Sequence, residues 1–192
     1  MSKYNISDVH LLKEVLFHDY QIIKKMRSPN ANKIKILSTL FSINPNSWRV
    51  VGITPAAMEI FKAHNFKKVS GMGINRSHLV HRYPFYDYLL KMDIMSPEDF
   101  WDKYYSNDIT VLATSSENMK NSSSIEKESI HIPNDERSLF RTAGYAWKHK
   151  EEEENFLRGL YIKFKNNEPS KLLHQSDDYK NIFDTTLTNN KI

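Results

Sequence analysis

The segment from Gly73 to Lys120 constrains the fold of this chain most strongly. It opens with a block, Ile74 to Arg82, in which alternate residues would share one face of a β-strand. A second run of β-branched and apolar residues, Ile109 to Ala113, predicts another short strand. Thr114-Ser-Ser-Glu117 follows it, a capping-box pattern that predicts the start of a helix. The segment therefore predicts two strands separated by a long connection, with a helix after the second strand.

This order resembles the ββα-metal core of HNH nucleases, in which a histidine at the end of the first strand activates water and one divalent metal ion lies between strand and helix. The stretch from Asp108 to Lys120 is similar to the family's helix pattern, without its cysteines, and its ending is similar to that of some phage HNH homing endonucleases. Ser77 stands where an aspartate usually precedes the histidine, and the final histidine of the family's helix is absent. The resemblance covers about a quarter of the chain.

The resemblance implies a catalytic site and a metal site. His78 is the implied general base, because an imidazole can accept a proton at neutral pH. His81 is the alternative base, although on a regular strand it would face the opposite side from His78. The implied oxygen ligands of Mg²⁺, or of another divalent cation, are Asp108, Glu117 and Asn118, and Asn118 is also a candidate catalytic residue.

Each of these residues also has a structural interpretation. The two histidines could be half-exposed residues of an ordinary strand. Glu117 could simply close the capping box, and Asp108 could fix the loop before the second strand. The sequence leaves these alternatives open.

Two arginines and the overall charge point to an anionic partner. Arg76 and Arg82, on the predicted face of His78, could hold a phosphate group by paired hydrogen bonds, or form ordinary surface ion pairs. The net charge is +4 at pH 7, which mildly favours a partner such as DNA. No apolar run approaches the roughly 20 residues that span a bilayer. We therefore expect a cytoplasmic protein that binds DNA and no membrane, and a homodimer is compatible with this.

The remaining sequence predicts the elements around this core. Trp48 to Ile53 predicts a buried strand, and Thr54-Pro55 and Ser96-Pro97 each predict the start of a helix. Phe66 to Val69 predicts a further strand, Asn121 to Glu128 a loop, and Glu151 to Glu154 a solvated helix face. The predicted fold class is α+β, a small ββα-metal core embedded in a mostly helical single domain. Its regions are an N-terminal helical region at 1–45, the core at 46–130, C-terminal helices at 131–165 and a polar tail at 166–192.

The function that this sequence favours is a metal-dependent DNA endonuclease, a phosphodiester hydrolase of the restriction or phage homing type. The alternative from a different class is a nucleic-acid-binding protein that keeps a degenerate HNH fold without catalysis. The missing helix histidine and the missing acidic partner of His78 favour that alternative. A third is a helical adaptor protein with a positively charged surface. The absence of cysteine excludes disulfides and a cysteine-based zinc site.

Overall fold

The computed structural model describes residues 9–43, 47–119, 122–132 and 150–166. These residues form two compact units. Of the described residues, the first unit takes 9–43, 47 and 80–108, and the second takes 48–79, 109–119, 122–132 and 150–166. The core predicted as one stretch at 46–130 is thus interrupted, because the chain leaves the second unit after Leu79 and returns to it at Ile109.

The described residues confirm the α+β class. The helices are α1 Val9–Lys25, α2 Asn30–Ile43, α3 Pro55–Ala63, α4 Arg82–Lys91, α5 Pro97–Asn107, α6 Ser122–Glu128 and α7 Lys150–Lys165, with a short 3₁₀ helix at Glu117–Met119. The strands are β1 Arg49–Ile53, β2 Ile74–His78, β3 Ile109–Thr114 and β4 Ile130–His131. Across the described part of the chain, no helix is both long and apolar enough to span a membrane.

The first unit consists of α1, α2, α4 and α5 around an aromatic core. The rings of Tyr20 and Phe100 stack with centroids 4.8 Å apart, and those of Phe41 and Tyr104 lie 4.3 Å apart. All four side chains are almost fully buried. Close ring pairs of this kind add about 0.5–1.5 kcal/mol beyond the burial of their area. The aromatic residues of α5 therefore form core, as their helical spacing predicts.

The second unit is built on a four-stranded sheet in the order β2-β3-β1-β4. β1 and β3 are parallel, while β2 pairs antiparallel with β3 and β4 pairs antiparallel with β1. One face of the sheet packs against α3 and α7, through residues such as Val50, Leu112, Phe61 and Leu157. The opposite face holds a smaller apolar cluster with Ile125 of α6. The sheet therefore has a helix-covered face on which residues of β2 can meet residues of α7.

Several predicted elements are confirmed. Thr54 is the N-cap of α3, and its hydroxyl accepts a hydrogen bond from the Ala57 N–H at 3.1 Å. Ser96 caps α5 in the same way, with Pro97 in the first helical turn. β1 and β3 lie within one residue of their predicted bounds.

Other predicted elements are wrong. No strand forms at 66–69, because Asn65 and Phe66 have φ values of +54° and +62° and turn the chain sharply after α3. The helix predicted directly after Thr114 is a two-residue turn and a three-residue 3₁₀ helix. The loop predicted at 121–128 contains α6. Of the predicted C-terminal helices α7 is confirmed, while residues 133–149 and the tail at 167–192 lie outside the described residues.

Candidate functional site

The residues that the sequence groups into one site belong to two different units. The first unit contains His81, Arg82 and Asp108, and the second contains Arg76, His78, Glu117 and Asn118. Each group has its own surroundings and its own chemistry.

Asp108 belongs to a buried hydrogen-bond network of the first unit. It is the C-cap residue of α5 and is 3% exposed. The Tyr104 hydroxyl donates to its carboxylate at 3.1 Å, and the Ser47 hydroxyl lies 2.5 Å from the same tyrosine oxygen. Burial, followed by the negative charge of Asp108, raises the pKa of Tyr104 well above its ordinary value. These contacts support the structural interpretation of Asp108, in which its carboxylate fixes the chain before β3.

His81 and Arg82 lie at the start of α4 rather than on a strand. His81 is the N-cap residue, is exposed, and its side chain makes no capping hydrogen bond. Arg82 is the first residue of the helix, and its guanidinium donates to the Ser38 hydroxyl at 3.4 Å. The predicted strand at 74–82 therefore ends at His78, and the expectation that His81 and Arg82 lie on faces of that strand is wrong.

His78 and Glu117 lie at opposite ends of the β2–β3 ladder. His78 pairs with Thr110 and Ile74 pairs with Thr114, so four residues separate the two pairs. At about 3.3 Å per residue they cover about 13 Å. The Glu117 carboxylate stays at the Thr114 end, because it accepts a hydrogen bond from the Thr114 N–H at 2.9 Å. The structure therefore does not bring these two side chains together around one metal ion, whose ligands would lie about 2 Å away.

Glu117 closes the capping box that the sequence contains. Its N–H donates to the Thr114 hydroxyl at 3.2 Å, and its carboxylate accepts from the N–H and the hydroxyl of Thr114 at 2.9 Å each. The Thr54 hydroxyl donates to the same oxygen at 2.8 Å. Glu117 is 8% exposed and joins the carboxyl ends of the parallel strands β1 and β3. The structural interpretation of Glu117 is the one that its contacts support.

Asn118 lies in the 3₁₀ helix after β3 and is exposed. The side-chain amide is thus open to solvent next to the buried Glu117. Among the described residues, no group of three or more histidine, aspartate or glutamate side chains is placed to hold a metal ion. The ligand set implied by the HNH resemblance is therefore not assembled in the described part of the chain.

A different group of side chains does meet on the helix-covered face of the sheet. Arg76 and His78 share this face of β2, since Arg76 pairs with Leu112, a residue of the core under α3 and α7. Lys68, which follows α3, and Glu153 of α7 are close enough to Arg76 for their charges to interact with one another. We call Lys68, Arg76, His78 and Glu153 the β2 cluster.

Trp48 connects two members of the β2 cluster. The Arg76 guanidinium donates to the Trp48 carbonyl oxygen at 3.2 Å. The rings of Trp48 and His78 meet edge to face, with centroids 5.3 Å apart and planes at 84°. Thr110 also donates to the Trp48 carbonyl, at 3.0 Å, which fixes this peptide at the start of β1. Arg76 and His78 are therefore held in place on a rigid strand rather than on a loop.

Burial displaces the pKa values of three members of the β2 cluster. It lowers the pKa of Lys68 to about 8, and the nearby charge of Arg76 lowers it further. Burial likewise lowers the pKa of Arg76 to about 10, opposed by the negative charge of Glu153. Burial raises the pKa of Glu153 to about 7, against the opposite effect of Arg76 and Lys68. All three shifts move toward neutral pH, which is typical of sites where charges are used.

Glu153 is the most unusual member of the β2 cluster. It is fully buried, and neither carboxylate oxygen has a hydrogen-bond partner among the described residues. A buried carboxylate without such partners is costly, which explains why burial has the largest effect on its pKa. Glu153 can therefore gain or lose a proton near neutral pH, next to two cations.

Sequence reasoning identified Arg76 and His78 but missed Lys68 and Glu153. Glu153 stands within four consecutive glutamates, which predicted a solvated face. A signal was present nonetheless, because Glu153, Leu157 and Leu160 follow helical spacing and all three are buried. Lys68 carried no comparable signal, since its position depends on the turn after α3 and not on a periodic pattern.

Comparison with protein-family models, with curated proteins and with solved structures gives no match to this chain.

Proposed function

We propose that this protein binds DNA, and that the two cations of the β2 cluster, Lys68 and Arg76, hold a phosphate group of the DNA backbone. The observation that carries the proposal is the placement of two cations close together, the exposed Lys68 and the half-buried Arg76, where partial desolvation makes both positive charges costly. A phosphate would lower that cost, because an anion between two partly desolvated cations stabilises both charged forms. The net charge of +4 is consistent with such a partner.

The chemistry of Arg76 supports a phosphate in particular. A guanidinium binds phosphate oxygens through its N–H groups, and the contact of Nη1 with the Trp48 carbonyl orients the planar group. His78 lies two residues further along the same strand face, about 7 Å away along the chain. A phosphate held by Arg76 would therefore lie within reach of the imidazole.

The test is a measurement of DNA affinity by fluorescence anisotropy over a salt titration. We expect binding to weaken steeply between about 50 and 200 mM salt, because phosphate contacts release counterions. Lys68→Gln should weaken binding to every sequence alike and reduce the salt slope by about 1. The matched control is Lys67→Gln, which removes the same charge from the neighbouring residue, outside the β2 cluster.

Two results would overturn the proposal. One is a wild-type protein whose DNA affinity is absent or indifferent to salt. The other is an equal loss of affinity in Lys67→Gln and Lys68→Gln, which would mean that any surface charge suffices and that the β2 cluster has no special part.

A second candidate function is hydrolysis of the bound phosphodiester, with His78 as the general base. The placement of His78 beside Arg76 favours it, since an imidazole near a bound phosphate can activate water, an effect of about 10²–10⁴ in rate. The residues implied as Mg²⁺ ligands by the HNH resemblance do not fit a common site, because Glu117 is held in its capping box and Asn118 is at the far end of the ladder. No catalytic step is therefore assigned to a metal ion.

Plasmid cleavage with and without Mg²⁺ tests this second function. His78→Ala should remove most cleavage, by about 10²–10⁴ in rate, and leave DNA binding nearly intact, while His81→Ala, at the N-cap of α4, should change neither. Asn118→Ala separates the two interpretations of the metal. The HNH resemblance predicts that this variant needs a higher magnesium concentration for cleavage. The length of the β2–β3 ladder, which separates Asn118 from His78, predicts no change in the magnesium concentration needed. If the wild type fails to cleave the plasmid both without metal and with every divalent cation tested, DNA binding remains as the function.

A further inference from the structure

The first unit carries an apolar groove that none of the proposed DNA chemistry uses. The groove has a volume of about 510 Å³ and lies between α1 and α2. Its lining includes Ile22 and Ile23 of α1, and Ile36 and Leu40 of α2. Ile22 is 51% exposed and Ile36 is 38% exposed. Two large aliphatic side chains opposite each other in solvent are a feature of interaction surfaces rather than of ordinary protein surface.

The exposed isoleucines are not substitutes for missing core. The opposite sides of the same helices already fill the core of the unit with Leu16, Tyr20, Leu37 and Phe41, each 2% exposed or less. The groove is therefore a second apolar surface of this helix pair. An amphipathic helix in a monomer needs only one such surface.

The charged residues of the groove indicate what covers it. Asp19 stands on α1 and Lys35 stands on α2. Asp19 lies six residues before the last residue of α1 and Lys35 five residues after the first residue of α2. At 1.5 Å per residue both lie about 8–9 Å from the turn that joins the helices. The two opposite charges therefore lie at the same height, on opposite sides of the groove.

We propose that this groove binds a second copy of the same chain in a two-fold symmetric dimer. A two-fold axis along the groove places Asp19 of each copy opposite Lys35 of the other, so that two ion pairs form around one apolar strip. The same rotation places Ile22 on α1 of each copy against α2 of the other, which carries Ile36. An axis across the groove would instead place Asp19 against Asp19, which like-charge repulsion disfavours. The surface is thus complementary to itself in one orientation.

Sedimentation velocity over a wide range of protein concentration tests the dimer. We expect the wild type to change from monomer to dimer as concentration rises. Ile22→Glu should raise the dissociation constant by at least about 100-fold, because symmetry places the buried charge in the interface twice. Asp19→Lys should raise it about tenfold, since each ion pair becomes a repulsion.

The charge-swapped double variant Asp19→Lys/Lys35→Asp gives the sharpest result. If the two residues face each other across the interface, the swap restores both pairs, and the dissociation constant should return to within a few fold of the wild type. The matched control is Asp102→Lys, which reverses an exposed aspartate of α5 that does not line the groove. It should leave dimerisation unchanged.

Three outcomes would overturn the proposal. These are a wild type that stays monomeric at every concentration, a dimer that Ile22→Glu does not affect, and a double variant as weak as Asp19→Lys alone. Melting temperatures of all variants show whether they are folded, and Ile22→Gln provides a milder change at the same position.

Discussion

The two units of this protein differ in how their buried ionisable groups are compensated. The first unit buries tyrosines, and burial raises the pKa of Tyr20 to about 12. Tyr86 and Tyr104 shift in the same direction for the same reason. A tyrosine is neutral at physiological pH in any case, so these shifts cost the folded state nothing. The carboxylate that this unit buries, Asp108, accepts a hydrogen bond from the Tyr104 hydroxyl at 3.1 Å.

The second unit buries groups that are ordinarily charged. Glu153 is fully buried and Arg76 is half-buried, and both have pKa values displaced toward neutrality, so their burial lowers the free energy of unfolding. Buried charges that destabilise the folded state are found most often at functional sites, where binding or catalysis depends on them. This contrast favours the second unit as the place where the protein uses its charges.

The largest expected effect is on the stability of the first unit. Phe100→Ala removes a fully buried ring that contacts Phe17, Tyr20, Phe41 and Tyr104. We expect a loss of about 3–5 kcal/mol in the free energy of unfolding, measured by urea denaturation. Tyr83→Ala, at a 60% exposed position of the same unit, should cost less than about 0.5 kcal/mol. Equal losses in both variants would contradict the proposed dependence on this core.

A second prediction separates two buried tyrosines. Tyr104→Phe removes the hydroxyl that donates to Asp108 and should destabilise the protein by about 1.5–3 kcal/mol. Tyr86→Phe is the matched control, because its buried hydroxyl has no hydrogen-bond partner within the described part of the chain. Removal of this hydroxyl should leave the free energy of unfolding unchanged or increase it. Thermal denaturation of both variants measures the difference, and a reversed order would show that the network around Asp108 contributes nothing.

A third prediction concerns Glu153 and pH. Its pKa is raised to about 7 in the folded state, from an ordinary value of 4.5, so the folded state binds the proton more tightly than the unfolded state. The stability that this proton contributes is complete below about pH 4.5 and is lost as the pH rises through about 7. Glu153→Gln should therefore stabilise the protein at pH 8, by about 1–3 kcal/mol, and have little effect at pH 4.

The control for this prediction is Glu151→Gln, at an exposed position of the same helix. It should leave stability nearly unchanged at either pH. Should Glu153→Gln instead destabilise the protein at pH 8, the attraction to Arg76 and Lys68 would outweigh the cost of burial, and the contrast between the units would fail.

The smallest expected effect tests the backbone of α7. A methyl group at Gly159 would meet nothing within 4 Å. Gly159→Ala should therefore stabilise the protein by about 0.5–1 kcal/mol, because glycine loses the most backbone freedom in a helix. Chemical denaturation can resolve this change. A destabilisation would mean that the helix needs the freedom of glycine at this position.

Local signals in the sequence predicted the local parts of this fold. Thr54, Ser96 and the capping box of Glu117 were identified correctly, because each pattern is satisfied by hydrogen bonds within a few residues. β3 was identified because its β-branched run is buried throughout. The alternating block at 74–82 was correct only as far as His78, since Val80 packs into the core of the first unit.

The β2 cluster could not be assembled from sequence for a physical reason. Lys68, Arg76 and Glu153 meet only because α7 covers the face of the sheet that carries Arg76. The spacing of residues along the chain does not indicate which residues from distant segments come into contact. The proposed site at His78, Glu117 and Asn118 failed to assemble for the complementary reason, because it required a strand pairing that the antiparallel register excludes.

The interruption of the second unit has a consequence for how the chain is made. Arg49 of β1 pairs with Ile109 of β3. About sixty further residues must therefore be synthesised after β1 before β3, its central partner, begins to leave the ribosome. At about 5–20 residues per second the delay lasts about 3–12 s. Throughout that time β1 is an apolar strand with open edges, a state prone to pairing with other chains. Slower translation of 80–108 should therefore lower the soluble yield of this protein, and a chaperone that covers short apolar segments should restore it.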